Sequence, residues 1–177
     1  LGNTRVVSGG GEGGPEQVRR RADRLGIRNE QCMLLAETSL ENIITQLADI
    51  HPAMVVIDSI QTLYSERIES SPGSVSQIRD CSAMLLKYAK ESHVPVLVIG
   101  HITKEGDIAG PKILEHIVDV VLQFEGDGNY AYSILRSAKN RFGATHEIGV
   151  FEMLNEGLRE VDNPSEILVS HYDEPLS

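Results

Sequence analysis

Two cations, an amide and an aromatic stand together in the run Lys139-Asn140-Arg141-Phe142-Gly143. Lysine offers a point charge and arginine a planar fork, and together they suit the gripping of phosphate oxygens. Glycine lets the backbone turn closely. The run follows the strand-like stretch Tyr130 to Leu135 and precedes another, His146 to Met153, so it is expected in a tight loop. A solvated hairpin turn that happens to be basic has the same composition. On spacing alone that plainer reading is favoured.

A carboxylate is the second group of interest. Asp58 ends the fully apolar run Met54-Val55-Val56-Ile57 and is followed by Ser59. The C-terminal end of a parallel strand is where open α/β sheets bind ligands. In P-loop ATPases an aspartate there holds magnesium, or its water shell, beside the nucleotide phosphates. Many strands also end in an aspartate that only caps the next loop. The third group is His101, which follows the apolar run Val94 to Gly100. It would stand near Asp58 if the two strands are neighbours, and a histidine there can sense a phosphate. Lys104 and Lys112, with the glycines between them, read as a nucleic-acid-binding loop or as solvated lysines.

The elements that must position these groups alternate. Strand candidates are Thr4 to Ser8, Cys32 to Ala36, Met54 to Ile57 and Val94 to Gly100. Helix candidates are Pro15 to about Leu25, Ser39 to about Asp49 with Ser39 as N-cap, and Ser74 to Glu91. Val75, Ile78, Leu85 and Ala89 mark the buried face of the last. A short helix is expected near Lys112 to His116. Strands at Ile117 to Phe124, Tyr130 to Leu135, His146 to Met153 and Leu158 to Val161 come next, joined by turns such as Gly126-Asp127-Gly128-Asn129. This pattern predicts an α/β domain with a mainly parallel central sheet, helices on both faces, and antiparallel hairpin strands at one edge.

The chain has 177 residues, enough for one domain with a sizeable core. Its net charge of −10 argues against wrapping nucleic acid over its whole surface, though not against local basic loops. Cys32 and Cys81 belong to no C-x-x-C pair and are expected as buried free thiols in a reducing compartment. No apolar run approaches the roughly 20 residues that cross a bilayer, and no signal segment opens the chain. It begins at Leu1 and is expected to be a piece of a longer protein. The run Arg19-Arg20-Arg21 with Arg24 reads as a solvated helix face, and His51, His93 and His116 as structural residues at or in helices.

Several segments occur in a telling order. They are Val56-Ile57-Asp58-Ser59-Ile60-Gln61, Ser70-Ser71-Pro72-Gly73-Ser74-Val75, Gly100-His101-Ile102-Thr103-Lys104, Ala109-Gly110-Pro111-Lys112, Lys139 to Gly143, and Gly157-Leu158-Arg159-Glu160-Val161. Together they resemble the ATPase core of the bacterial RadA (Sms) family of RecA-like DNA repair proteins, over about Pro15 to Ser170. The resemblance implies a RecA-like core over residues 1–161 and a polar tail, 162–177, leading to a further domain. It implies ATP and Mg2+ as cofactors, a cytoplasmic homo-hexameric ring, single-stranded and branched DNA as partners, no membrane, and ATP-driven branch migration. By similarity Asp58 takes the Walker B position, and His101 links the nucleotide to a DNA-binding loop spanning Thr103 to Lys112. Lys139 and Arg141 become cations acting at a subunit boundary or on DNA. Glu12 is the match available for a water-activating glutamate.

Two departures bear on activity. The phosphate-loop pattern G-x-x-x-x-G-K-[ST] occurs nowhere, and no glycine is followed by lysine. The stretch before Pro15 is Gly9-Gly10-Gly11-Glu12-Gly13-Gly14, which keeps one carboxylate of the family's two. The chain alone is therefore expected not to hydrolyse ATP. The glycine run also satisfies G-x-G-x-x-G, with Glu37 about twenty residues on, so a nicotinamide- or flavin-dinucleotide-binding enzyme is a rival expectation. The shortness of the strand at Thr4 to Ser8, and Arg5 within it, speak against a buried first strand of that kind. A non-enzymatic ring-forming or DNA-contacting module is a third expectation.

Overall fold

A computed structural model describes residues 6–9, 15–26, 30–101, 109–126, 132–163 and 165. The chain forms two compact units, Leu1–Val118 and Asp119–Ser177. The first alternates strand and helix: β1 (Val6–Gly9), α1 (Pro15–Arg24), β2 (Cys32–Leu35), α2 (Leu40–Ile50), β3 (Met54–Asp58), a single 3-10 turn (Ile60–Thr62), α3 (Val75–Ser92), β4 (Val96–Ile99) and α4 (Ala109–Ile117). The second holds β5 (Val120–Gly126), β6 (Tyr132–Asn140), β7 (Ile148–Leu154) and β8 (Gly157–Glu160).

The sheet expectation needs correction. Four parallel strands in the order β2-β1-β3-β4 make one sheet, and four antiparallel strands in the order β5-β6-β7-β8 make another. The hairpin strands are thus a sheet of their own, not the edge of the parallel one. Short connections let each of them pair with its chain neighbour, whereas each parallel crossover carries a helix. β1 also differs from expectation. Despite its shortness it lies inside the sheet, paired along Cys32–Leu35 on one side and Met54–Ile57 on the other.

Val55 and Ile57 point to one face of β3. They share a core cluster with Leu40, Ile43 and Leu47 of α2, Ile78 and Leu85 of α3, and Leu114 of α4. Each such side chain contributes roughly 1.5–3 kcal/mol relative to exposure. On the opposite face Leu97, the register partner of Val56, stays 45% exposed. The helices that bury core residues therefore cover one face, and the other is covered less completely. No helix among the described residues is long and apolar enough to cross a membrane.

The caps follow the sequence. The Ser39 hydroxyl accepts from the Asn42 N–H, and His51 closes α2 in the left-handed conformation at φ 51°. The Ser74 hydroxyl accepts from the Gln77 N–H to start α3. Gly73 before it sits at φ 84°, where a side chain would be strained. Val75 does not join the buried face of α3 and is exposed, because that face runs through Ile78, Cys81, Ser82 and Leu85.

Polar groups tie the segment 65–70 to two helices. The buried Gln77 side chain accepts from the Ser65 N–H (2.8 Å) and donates to the carbonyls of Ser65, Ile68 and Ser70 (3.2, 3.0 and 2.9 Å). Glu41 of α2 accepts from the Ser65 hydroxyl (2.7 Å) and the Glu66 N–H. Burial pushes the Glu41 carboxyl up. The Ser65 hydroxyl, backbone N–H groups and Arg67 together outweigh it and hold the carboxyl below its ordinary value.

Both cysteines are free, but Cys32 is exposed rather than buried. It lies on β2, the outer strand of its sheet. Cys81 is fully buried, and burial pushes its thiol up to about 12, with Asp80 and Glu41 adding to the rise.

Candidate functional site

The parallel register brings two of the expected groups together. Asp58 of β3 pairs in register with Ile99 of β4, so the carboxyl ends of both strands lie side by side. His101, two residues beyond β4, places its Nε2 3.3 Å from Asp58 Oδ1. Their side chains are 52% and 44% exposed, so as an ion pair this contact adds little stability. Its geometry is set by Gln61 on the 3-10 turn. Gln61 Nε2 donates to the His101 carbonyl (3.0 Å), and its Oε1 accepts the His101 N–H (3.4 Å). Gln61 had no role in the sequence-based expectation. The available signal was a polar side chain three residues beyond a strand-ending aspartate.

The described residues contain no group of three or more His, Cys, Asp or Glu able to hold a metal by themselves. Magnesium bound with a nucleotide asks for less, one or two carboxylates with waters and phosphate oxygens. The half-exposed Asp58 fits that requirement. Ser59, in contrast, is buried, and its hydroxyl has no partner among the described residues. Glu12 and Lys104 lie outside the described residues. So do most of the glycine run, the turn at 127–131 and nearly all of the tail after 163. Lys112 is exposed and helical, within α4.

In the second unit, Lys139 and Asn140 are strand residues, which corrects the expected tight loop. β6 runs five residues past Leu135 because its pairing with β5 continues to Asn140 opposite Val120. The ladder slips between Val121, opposite Lys139, and Leu122, opposite Ser137, leaving Ala138 as the extra residue. Such a bulge resets which face the following side chains occupy. No alternation rule could have located it.

The turn proper starts at Arg141. Its N–H donates to the Asp119 carbonyl (3.0 Å), and its Nη1 donates to Asp119 Oδ1 (3.1 Å). Asn140 organises the rest of the turn: its Oδ1 accepts the Phe142 N–H (3.0 Å), and its Nδ2 donates to the Ala144 carbonyl (3.4 Å). A Cβ on Gly143 would lie 3.3 Å from Asn140 Nδ2, so the glycine answers to close approach. Phe142 is 76% exposed. Asp119 was missed, since nothing local marks a partner twenty-two residues away.

No protein-family model matches the chain. DNA repair protein RadA of Bacillus subtilis is 54% identical over 159 residues, covering 90% of this chain and 35% of that protein. The RadA of Listeria monocytogenes is 48% identical over 177 residues, covering all of this chain and 39% of that protein. Among solved structures, the RadB recombinase superposes with a TM-score of 0.62 at 20% identity, covering 90% of this chain and 80% of that one. A KaiC-like protein from Pyrococcus horikoshii gives a TM-score of 0.67 at 18% identity, covering 89% and 76%. These two likenesses concern the fold alone and agree with a RecA-like ATPase fold. The chain thus spans just over a third of the length of its curated relatives, and across that third it matches bacterial DNA repair proteins named RadA almost from end to end.

Proposed function

We propose that this chain is the ATPase core of a RadA-type protein that uses ATP to drive branch migration in DNA recombination and repair. The observation that carries the reading is the Asp58–His101 pair at the carboxyl ends of adjacent parallel strands, in a chain about half identical to RadA proteins. That likeness favours the ATPase over a dinucleotide-binding enzyme. The core spans residues 1–161, with 162–177 leading to a further domain. The protein works as a cytoplasmic homo-hexamer on single-stranded and branched DNA.

Magnesium-bound ATP supplies the phosphoryl group whose transfer drives the motion. Asp58, with Ser59 behind it, would hold a nucleotide-bound magnesium ion directly or through its waters, and Glu12 would be the carboxylate available to activate water. His101 is hydrogen-bonded to Asp58 and braced by Gln61, so a change at the nucleotide is felt at the start of the segment leading to Lys104 and Lys112. Those lysines hold DNA phosphates. Lys139 and Arg141 act across a subunit boundary on the transferred group, or on DNA. Releasing Arg141 from Asp119 costs little, because both side chains are exposed and such pairs are worth about 0–1 kcal/mol. An exposed Phe142 beside them serves no core and suits a contact surface.

Lys139→Ala and Arg141→Ala in the full-length protein are expected to abolish branch migration. Arg141→Ala should lower unfolding stability by less than about 1 kcal/mol. Normal branch migration and DNA-stimulated hydrolysis in either variant would remove the assigned roles.

A further inference from the structure

The pairing of β3 with β4 stops at Asp58 and Ile99, yet the backbone beyond β4 is still answered. Alternate residues of a strand turn their N–H and C=O toward the same neighbour. The Pro95 carbonyl accepts the Val55 N–H (3.0 Å), so the residues in phase with it, Leu97, Ile99 and His101, turn theirs toward β3. Had β3 continued, the His101 N–H would meet the Ser59 carbonyl. That carbonyl is already taken by the 3-10 turn. Thr62 donates to it through its N–H (3.2 Å) and through its hydroxyl (2.8 Å).

The Gln61 side chain fills the gap. Its Nε2 donates to the His101 carbonyl and its Oε1 accepts the His101 N–H, so one amide stands where the next rung of the ladder would be. A carboxylate lacks the donor for this, an ammonium lacks the acceptor, and asparagine is a methylene shorter. The surroundings are close. A Cβ on Gly100 would lie 3.9 Å from Gln61 Nε2 and 3.4 Å from Leu114 Cδ1 of α4. A Cβ on Gly73, just before α3, would lie 3.6 Å from the Gln61 carbonyl oxygen. The turn at Gln61 therefore lies against the end of β4 and the approach to α3. The chain that leaves His101 returns as α4 and meets the same point through Leu114.

We propose that Gln61 is the positioning residue that fixes His101 against Asp58 and so carries DNA stimulation to the hydrolytic site. It acts through His101, not on the nucleotide. With the Ser59 carbonyl committed to the turn, the Gln61 amide decides where the His101 backbone lies. The 3.3 Å contact of the His101 ring with Asp58 Oδ1 follows from that placement. Both amide hydrogen bonds are exposed, so a pull on the chain beyond His101 exchanges them for water at little cost. Gln61 is in this sense a latch rather than a strut. The inference rests on the proposed DNA-coupled ATPase reading and adds to it one side chain on which the coupling depends.

The test is steady-state ATP hydrolysis by the full-length protein with and without oligo-dT. Wild type is compared with Gln61→Met, Gln61→Glu, His101→Ala and the double variant Gln61→Met with His101→Ala. Methionine keeps the side-chain length and loses both hydrogen bonds, while glutamate keeps the acceptor and loses the donor. Gln61 is only half-buried, so folding should survive either change, and a circular-dichroism melt checks this. Gln61→Met and Gln61→Glu are each expected to lower the DNA-stimulated kcat by about 10- to 100-fold and the ratio of stimulated to basal rate with it. KM for ATP should stay within about twofold. In the His101→Ala background Gln61→Met should cause no further loss, because the ring it positions is gone. If wild type is stimulated by DNA and both Gln61 variants keep its ratio, the positioning role is overturned while the ATPase reading stands. Basal and stimulated rates that fall in step with a lowered melt would reduce Gln61 to a support of the fold and overturn the role. An undiminished further loss in the His101→Ala background would overturn it as well. If wild type hydrolyses ATP without DNA stimulation, or not at all, the proposed function itself falls and the coupling role goes with it.

Discussion

The two thiols differ enough in setting to report on the fold. Cys81 is buried in the core cluster and its thiol is pushed up to about 12, while Cys32 is exposed at the sheet's outer strand. Only a thiolate attacks a disulfide reagent. One fast-reacting thiol per native chain is therefore expected with Ellman's reagent near pH 8, and two after unfolding. Two fast thiols in the native state would contradict the Cys81 environment. A thiol whose folded value is raised contributes stability that is intact below its ordinary value near 9. That stability is lost as pH climbs toward 12, by up to about 1.4 kcal/mol per pH unit. The same scale shows what sequence could and could not reveal. Asp58 and His101 were legible because each ends an apolar run. Asp119 was not, since a hydrogen-bond partner twenty-two residues away leaves no local mark, and Gln61 offered only a polar side chain just past the strand end, with its partner forty residues on.

Among the elements, the segment 65–70 depends on one side chain more than on its own sequence. Gln77 of α3 answers one N–H and three carbonyls there, and it is 1% exposed. Gln77→Ala would strand those groups and is expected to cost about 2–4 kcal/mol in urea unfolding. A loss under about half a kcal/mol, the scale of an ordinary surface substitution, would show that the segment is held by something else. Helix α2 was readable in advance from its Ser39 cap, because a cap is local chemistry, and α3 from the apolar spacing of Ile78, Leu85 and Ala89. The strands of the second unit were readable as hairpins but not in extent. Ile117 closes a helix where a strand start was expected, and β6 continues through Lys139 because β5 is there to pair with it. Strand length is set by the partner, which periodicity does not see.

At the scale of the molecule, the chain carries one parallel α/β unit and one antiparallel unit, each with its own candidate group. Asp58 and His101 belong to the first, and Lys139 and Arg141 to the second. Alternating elements made the first unit foreseeable as a parallel sheet. The separation of the hairpin strands into their own sheet was not foreseeable, because hairpin signals specify pairing within the group and say nothing of its neighbours. Asp58 is proposed to serve ATP hydrolysis coupled to DNA. That role is tested most directly by the rate of ATP hydrolysis with and without oligo-dT, for the full-length protein, its Asp58→Asn variant and the 177-residue chain alone. DNA-stimulated hydrolysis is expected in the full-length protein, a fall of roughly 10²-fold or more in Asp58→Asn, and none by the chain alone. Undiminished, DNA-stimulated hydrolysis by Asp58→Asn would contradict that role.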